Sequence, residues 1–234
     1  MKRAIVGLVG LALVATLTQA VAAKGPGSSL TCPTFNASNF PHPTKITNPY
    51  FPLTPGDVYT YEGNVKKEPE SETVTVTSNA KTINGISVVE VEDRVSEGGI
   101  PVEDTLDWFA QDKFGNVWYM GEFATQLPDE THDGSWTAGL NGAQPGRIME
   151  ASPQVGDTYC QENAPGVAQD AGQVVSVTAS RTVPAGNFTN VVQTKDFSLI
   201  EPHSEYKYYA SGVGLIEAIA LNGGSEDVKL ENVP

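Results

Sequence analysis

Positive charge is what this chain has least of. Its 234 residues carry 14 Lys and Arg against 28 Asp and Glu, a formal net charge of −14. A surface that acidic repels phosphate backbones over a screening distance of about 8 Å, which excludes nucleic acid as a partner. Cysteine occurs only at positions 32 and 160, and histidine only at 42, 132 and 203. A thiolate cluster is therefore excluded, and the ligands for a histidine-rich metal centre are few. After residue 23 no uncharged run is long enough to cross a bilayer, so no membrane span is expected there. No helical stripe of any length is present, and no Gly-x-Ser-x-Gly elbow marks a serine nucleophile.

The exception to the scarcity of apolar runs is the beginning. Met1-Lys2-Arg3 is a short positive start, Ala4 to Thr16 is uncharged, and small residues follow at Ala20-Val21-Ala22-Ala23. This pattern reads as a secretory signal peptide over residues 1–23, which predicts a secreted or periplasmic protein. Losing Lys2 and Arg3 would leave a net charge of −16. Two cysteines in an exported chain read as one disulfide, Cys32–Cys160. Two free thiols or half of a metal site are the alternatives.

The remainder repeats itself. Gly56-Asp57-Val58-Tyr59-Thr60-Tyr61-Glu62 is echoed by Gly156-Asp157-Thr158-Tyr159-Cys160-Gln161-Glu162, and Trp108-Phe109-Ala110 by Tyr208-Tyr209-Ala210. A fixed offset means one supersecondary unit used twice. Residues 24–55 read as a Pro-rich extended arm, 56–123 as unit one, 124–155 as an insert or linker, and 156–234 as unit two, all in one compact domain. Period-2 alternation runs through both units, as in Thr73–Thr77, Val89–Glu92, Thr105–Trp108 and Val175–Ser180. Gly-containing turns such as Asn84-Gly85, Ala185-Gly186 and Asn222-Gly223-Gly224 punctuate it. The expected fold is all-β: two antiparallel meanders forming a sandwich or one strongly curved sheet. Their apolar residues should face the core and their Thr and Glu residues water.

Three segments carry a resemblance: Tyr50-Phe51-Pro52-Leu53-Thr54-Pro55-Gly56, Val183-Pro184-Ala185-Gly186-Asn187-Phe188 and Tyr208-Tyr209-Ala210-Ser211-Gly212-Val213-Gly214-Leu215. Together they resemble a family of bacterial secreted β-rich proteins. They are also similar to a wider group of exported proteins with curved, lipoprotein-carrier-like sheets. Ser211, where Pro is more usual, is a mild departure. The resemblance implies export and a curved sheet, and it implies no chemistry.

The aromatics Trp108, Trp118, Tyr119, Tyr206 and Tyr208 fall on strands. If the sheets part at one end, they are candidates to line an apolar cleft for a small hydrophobic ligand. His132, Asp133 and His203 are the candidate metal ligands, although none stands at a recognised ligand spacing. Glu201 and Glu205 flank His203, an arrangement able to raise its pKa or to help hold a cation. Ser135, beside His132 and Asp133, invites a hydrolase reading but lacks an elbow and an oxyanion hole. No catalytic constellation and no cofactor site are read from the sequence. The expected function is a non-enzymatic binding or envelope-interaction protein, its partner a hydrophobic ligand or an envelope protein. The alternatives are a metal-binding protein using His132 and His203, and a hydrolase centred on residues 124–153.

Overall fold

The computed structural model describes residue 30 and residues 32–65, 68–221 and 227–234. The expected signal peptide and the turn at Asn222-Gly223-Gly224 lie outside the described residues. A 3₁₀ turn, Ala37–Asn39, precedes the strands β1 (Val58–Val65), β2 (Glu68–Val76), β3 (Lys81–Ile83), β4 (Ile86–Glu97) and β5 (Ile100–Gln111). Next come β6 (Val117–Gln126), β7 (Trp136–Thr137), β8 (Gln144–Met149), β9 (Thr158–Cys160) and β10 (Glu162–Asn163). The last are β11 (Asp170–Val183), β12 (Gly186–Ser198), β13 (Ser204–Ala210), β14 (Gly214–Ala220) and β15 (Asp227–Asn232). The protein is all-β, as the alternation predicts.

Strand order settles the choice between sandwich and curved sheet. One antiparallel sheet runs β10-β8-β6-β5-β4-β2-β1-β15-β14-β13-β12-β11-β9, with β3 paired to β4 and β7 to β6. Its two ends, β9 and β10, are consecutive in the chain, separated only by Gln161. Thr158–Cys160 pairs with β11 and Glu162–Asn163 with β8, so this single segment draws the sheet into a barrel. At the seam β8 passes so close that a side chain on Gly146 would collide with the Cys160 and Gln161 carbonyls.

The repeat is visible in the hydrogen bonds. Gly56 N–H donates to Val76 O (2.8 Å) and Val76 N–H to Asp57 O (2.9 Å); Gly156 and Asp157 make the same pair of bonds with Val174, both at 2.9 Å. Both glycines sit at positive φ, 100° and 98°, where a side chain would be strained. Six strands of one half (β1, β2, β4, β5, β6, β8) therefore match six segments of the other (β9–β10, β11, β12, β13, β14, β15). The last strand of each half pairs with the first of the other, β15 with β1 and β8 with β10. Strand β8 lies inside the stretch 124–155 and completes the first meander.

A second layer reverses part of the expected inside–outside pattern. The turn at Asn84-Gly85 and the long β11–β12 hairpin fold over the outer faces of their own halves. There Lys81 Nζ sits 2.9 Å from the Trp108 ring centroid, and the Arg181 guanidinium 3.7 Å from that of Tyr208. Arg181 also pairs with Glu217 at 2.8 Å, and Ala185 N–H reaches Leu230 O at 3.0 Å. Because these outer faces are covered, Trp108 and Tyr208 are buried on the outside of the barrel wall. Their strand neighbours Thr105, Asp107 and Lys207 point inward and are buried too, not solvated as the alternation suggests. Glu90, expected on a solvated face, is buried beneath the same layer and accepts the Trp108 indole N–H at 3.0 Å.

The Pro-rich arm plugs one end. Phe51 packs 5.2 Å from Phe109 and 6.4 Å from Tyr209, ring centre to ring centre. Asn48 fixes the arm by donating to Gly115 O (2.9 Å) and Glu150 O (3.0 Å). Farther back, Phe35 and Phe40 cover Trp118 from outside the wall. Cys32 and Cys160 form the expected disulfide, Cα atoms 4.8 Å apart, tying the start of the arm to the seam. At this end the interior is apolar: Phe109, Tyr209, Val74, Val91 and Val174 are buried together.

Candidate functional site

The opposite half of the interior is acidic. Period-2 geometry points Glu70 and Glu72 of β2, Asp93 of β4, Glu103 and Asp107 of β5, and Glu122 of β6 inward. Glu162 of β10, Asp170 of β11, Asp196 of β12 and Glu205 of β13 complete the lining. All but the partly buried Asp170 are less than a tenth exposed. Lys207 is the cation among them. Its Nζ lies 3.0 Å from Glu205 Oε1 and 3.8 Å from Asp196 Oδ2, and Gln161 also donates to Asp196 Oδ2, at 3.1 Å.

So many acids in one dry space cannot all be ionised, because burial and mutual repulsion both oppose charge. Burial first, then Asp93 and Glu70, raises Glu72 well above its usual value. Burial also raises Asp107, Glu122 and Glu162, with neighbouring carboxyls adding to it in each case. Glu70, near the rim, is pushed by burial to about 7. Geometry says the same independently. The Tyr119 hydroxyl lies 2.6 Å from Asp107 Oδ1 and 3.0 Å from Glu122 Oε2. It has one proton to give, so both contacts are hydrogen bonds only when one of the carboxyls is protonated and donates in return. Around Lys207 the balance reverses. Burial alone would raise Glu205, but Lys207 and His203 outweigh it and bring Glu205 down to about 2. Lys207 is itself held above its ordinary value by Glu205 and Asp196, against the pull of burial.

Lys207 is therefore the internal counter-ion, and Lys207→Met is expected to destabilise the fold by about 3 kcal/mol, because it strands buried Glu205 and Asp196. Chemical denaturation checks this. Adding Glu205→Gln should recover part of the loss, and the absence of any recovery would show that the ammonium's role is mere packing.

The sequence-derived candidates are placed as follows. Tyr119 lines the acidic chamber. Trp108 and Tyr208 lie under the two outer hairpins, and Trp118 lies beneath the arm, its indole N–H 2.9 Å from Asp112 Oδ2. Tyr206, half-buried, packs 6.5 Å from Tyr208. The structure thus does not bring the five aromatics to one surface. His132 Nδ1 sits 2.9 Å from Ala124 O, and its ring 4.3 Å from Phe123. His203 stands at the other side of the chain's topology, between β12 and β13, raised by its hydrogen bond to Glu205 as the flanking acids suggest. Among the described residues no trio of His, Cys, Asp or Glu has the arrangement of a metal site, Asp133 included. Ser135 Oγ accepts from Ala124 N–H at 2.9 Å and so braces the insert. Apart from Glu205, the interior carboxyls were missed by sequence reasoning, and so was Lys207. The available signal was Asp107 and Lys207, opposite charges at the same offset inside the most recognisable aromatic repeat.

No family model matches this chain. No curated protein matches it either. Among solved structures it is similar to a chain from Parabacteroides distasonis ATCC 8503, provisionally named a lipoprotein, at 14% identity and a TM-score of 0.39. That match covers 79% of this chain and 98% of the other.

Proposed function

We propose that this is an exported, non-enzymatic binding protein that takes a positively charged ligand at the acid-lined end of its barrel. One observation carries the reading: among the described residues a barrel interior filled with carboxyls has a single lysine to balance them, and several of their oxygens lack any hydrogen-bond partner. Those include both oxygens of Glu70 and Oε2 of Glu162. Buried polar atoms are rarely left unsatisfied without a reason, and a cation exchanging for protons is the simplest way to satisfy these. Export is supported by the leader-like first 23 residues and by the disulfide.

A second reading keeps the apolar ligand. Phe123, Leu140 and Val167 are exposed by 41%, 60% and 42% around the buried Trp136. They line a groove of about 210 Å³ where the 124–155 stretch meets the loop after β10. Native mass spectrometry of protein purified without chelator from a secreting host separates the two. A cationic adduct lost on acidification supports the first reading. A lipid-sized adduct that survives acid supports the second and overturns the first.

A further inference from the structure

The arm that plugs the barrel also builds a pocket against the β5–β6 turn. His42-Pro43-Thr44-Lys45 is a β-turn closed by Lys45 N–H donating to His42 O at 3.1 Å, with Pro43 where its fixed φ suits the turn. Two backbone bonds fasten this stretch: Gln111 N–H to Pro43 O at 2.8 Å and Lys113 N–H to Asn39 O at 2.7 Å. The Gln111 side chain adds more. It accepts from Thr47 N–H and Asn48 N–H, both at 2.8 Å, and donates to Thr47 Oγ1 at 3.3 Å. The result is a braced pocket of about 300 Å³, lined by His42, Lys45, Thr47, Gln111, Asp112 and Lys113.

This lining runs against the character of the chain. Acidic residues outnumber basic ones 28 to 14, yet two lysines and one of three histidines meet here. Arg94, Arg147, Arg181, Lys207 and Lys229 each stand within 3.4 Å of a carboxylate oxygen. Lys45 and Lys113 are exposed and pair with no acid among the described residues. Asp112 does not answer them. It is 4% exposed, and its oxygens already accept from Phe114 N–H, Asn116 N–H, Asn116 Nδ2 and Trp118 Nε1.

We infer that this pocket is an anion site, distinct from the acidic interior, and that it takes a phosphate monoester. Such a group carries about −1.5 to −2 charges at pH 7 and so matches both lysines, whereas a carboxylate would leave one unmatched. The Thr47 hydroxyl accepts from Gln111 and still has its own proton to donate to a phosphate oxygen. Because the frame is braced beforehand, binding orders little beyond the two lysine side chains. A polyanion would also meet the surrounding acids. A single phosphate group meets only the pocket, since screening limits the wider field to about 8 Å at physiological salt.

Phosphorus NMR titration of glycerol 3-phosphate with the protein purified from a secreting host tests this. The phosphate resonance is expected to shift saturably, and inorganic phosphate should reverse the shift while glycerol should not. Lys45→Gln combined with Lys113→Gln breaks no described hydrogen bond or ion pair, so the fold is kept; it should weaken binding about tenfold or more. Arg94→Gln combined with Lys229→Gln removes the same charge from ion-paired positions and should leave binding unchanged. Flotation with phosphatidylcholine vesicles containing phosphatidic acid, lost in the Lys45 and Lys113 double variant, would assign the phosphate to a lipid headgroup. Binding of glycerol 3-phosphate without flotation would assign it to a soluble ester. Equal affinity in wild type and that double variant overturns the site, and displacement by glycerol overturns the anion. Binding of neither glycerol 3-phosphate nor the vesicles overturns the proposal and leaves the reading of the acidic interior untouched.

Discussion

Thermal unfolding followed from pH 5 to pH 8 is expected to show the midpoint falling by about 10 °C, the reverse of what acid-sensitive carboxylate networks produce. A carboxyl whose pKa is higher folded than unfolded makes the native state bind more protons, so stability declines as pH rises between the two values. Glu70 spans 4.5 to about 7. A shift of that size is worth about 3.4 kcal/mol, lost across that window at about 1.4 kcal/mol per pH unit. In a domain of this size that alone moves the midpoint by about 7–14 °C. Glu72, Asp107, Glu122 and Glu162 shift in the same direction and add to the decline. Glu205 acts oppositely. Its depressed value, about 2, stabilises the fold above the ordinary glutamate range and is lost as pH falls towards 2. Maximal stability should therefore lie near pH 4–5. Differential scanning calorimetry across the range decides it, and a midpoint that is flat or rising from pH 5 to 8 would mean that the interior carboxyls titrate as if solvated.

Replacing both Cys32 and Cys160 with alanine should cost about 5 kcal/mol, the chain-entropy value for a loop of 128 residues. That corresponds to a midpoint lower by about 10–20 °C. The expected loss has a location as well as a size. Cys160 lies in the segment that joins the sheet's two ends, and Cys32 begins the arm whose Phe51 fills the apolar end of the barrel. Hydrogen exchange in the variant should accelerate first in β9 and β10 and in the arm around Ile46–Leu53. A midpoint within about 3 °C of wild type would show that pairing at the seam holds without the bridge.

Much of this architecture was legible in the chain. The offset of 100 between Gly56-Asp57 and Gly156-Asp157 marks equivalent turns with equivalent hydrogen bonds, and two cysteines in a sequence that reads as exported predict their own bridge. Alternation located the strands, but it could not say which face was the inside. In Thr105–Trp108 the apolar face is outermost, because a hairpin from the same half covers it, and that cover is a tertiary fact. Around Glu70 and Glu72 both faces are polar, since Ser71 and Thr73 intervene, so period-2 reasoning had nothing to choose between. Nor does any local pattern state that Gln161 is the point where a sheet's two ends become neighbours. The acidic chamber exists only because that junction forms.

The way the two halves are joined has a consequence for assembly. Each half lends its final strand to the other's first, so neither seam depends on both halves belonging to the same molecule. Two copies exchanging halves around the segment 150–157 would make the same strand pairings in a domain-swapped dimer. A shorter ancestor encoding one meander would have closed the same ring as a homodimer. In such a homodimer positions 107 and 207 would necessarily be the same residue. Joining the halves in one chain lets the two positions differ, as Asp107 and Lys207 do, and gives the chamber distinguishable sides.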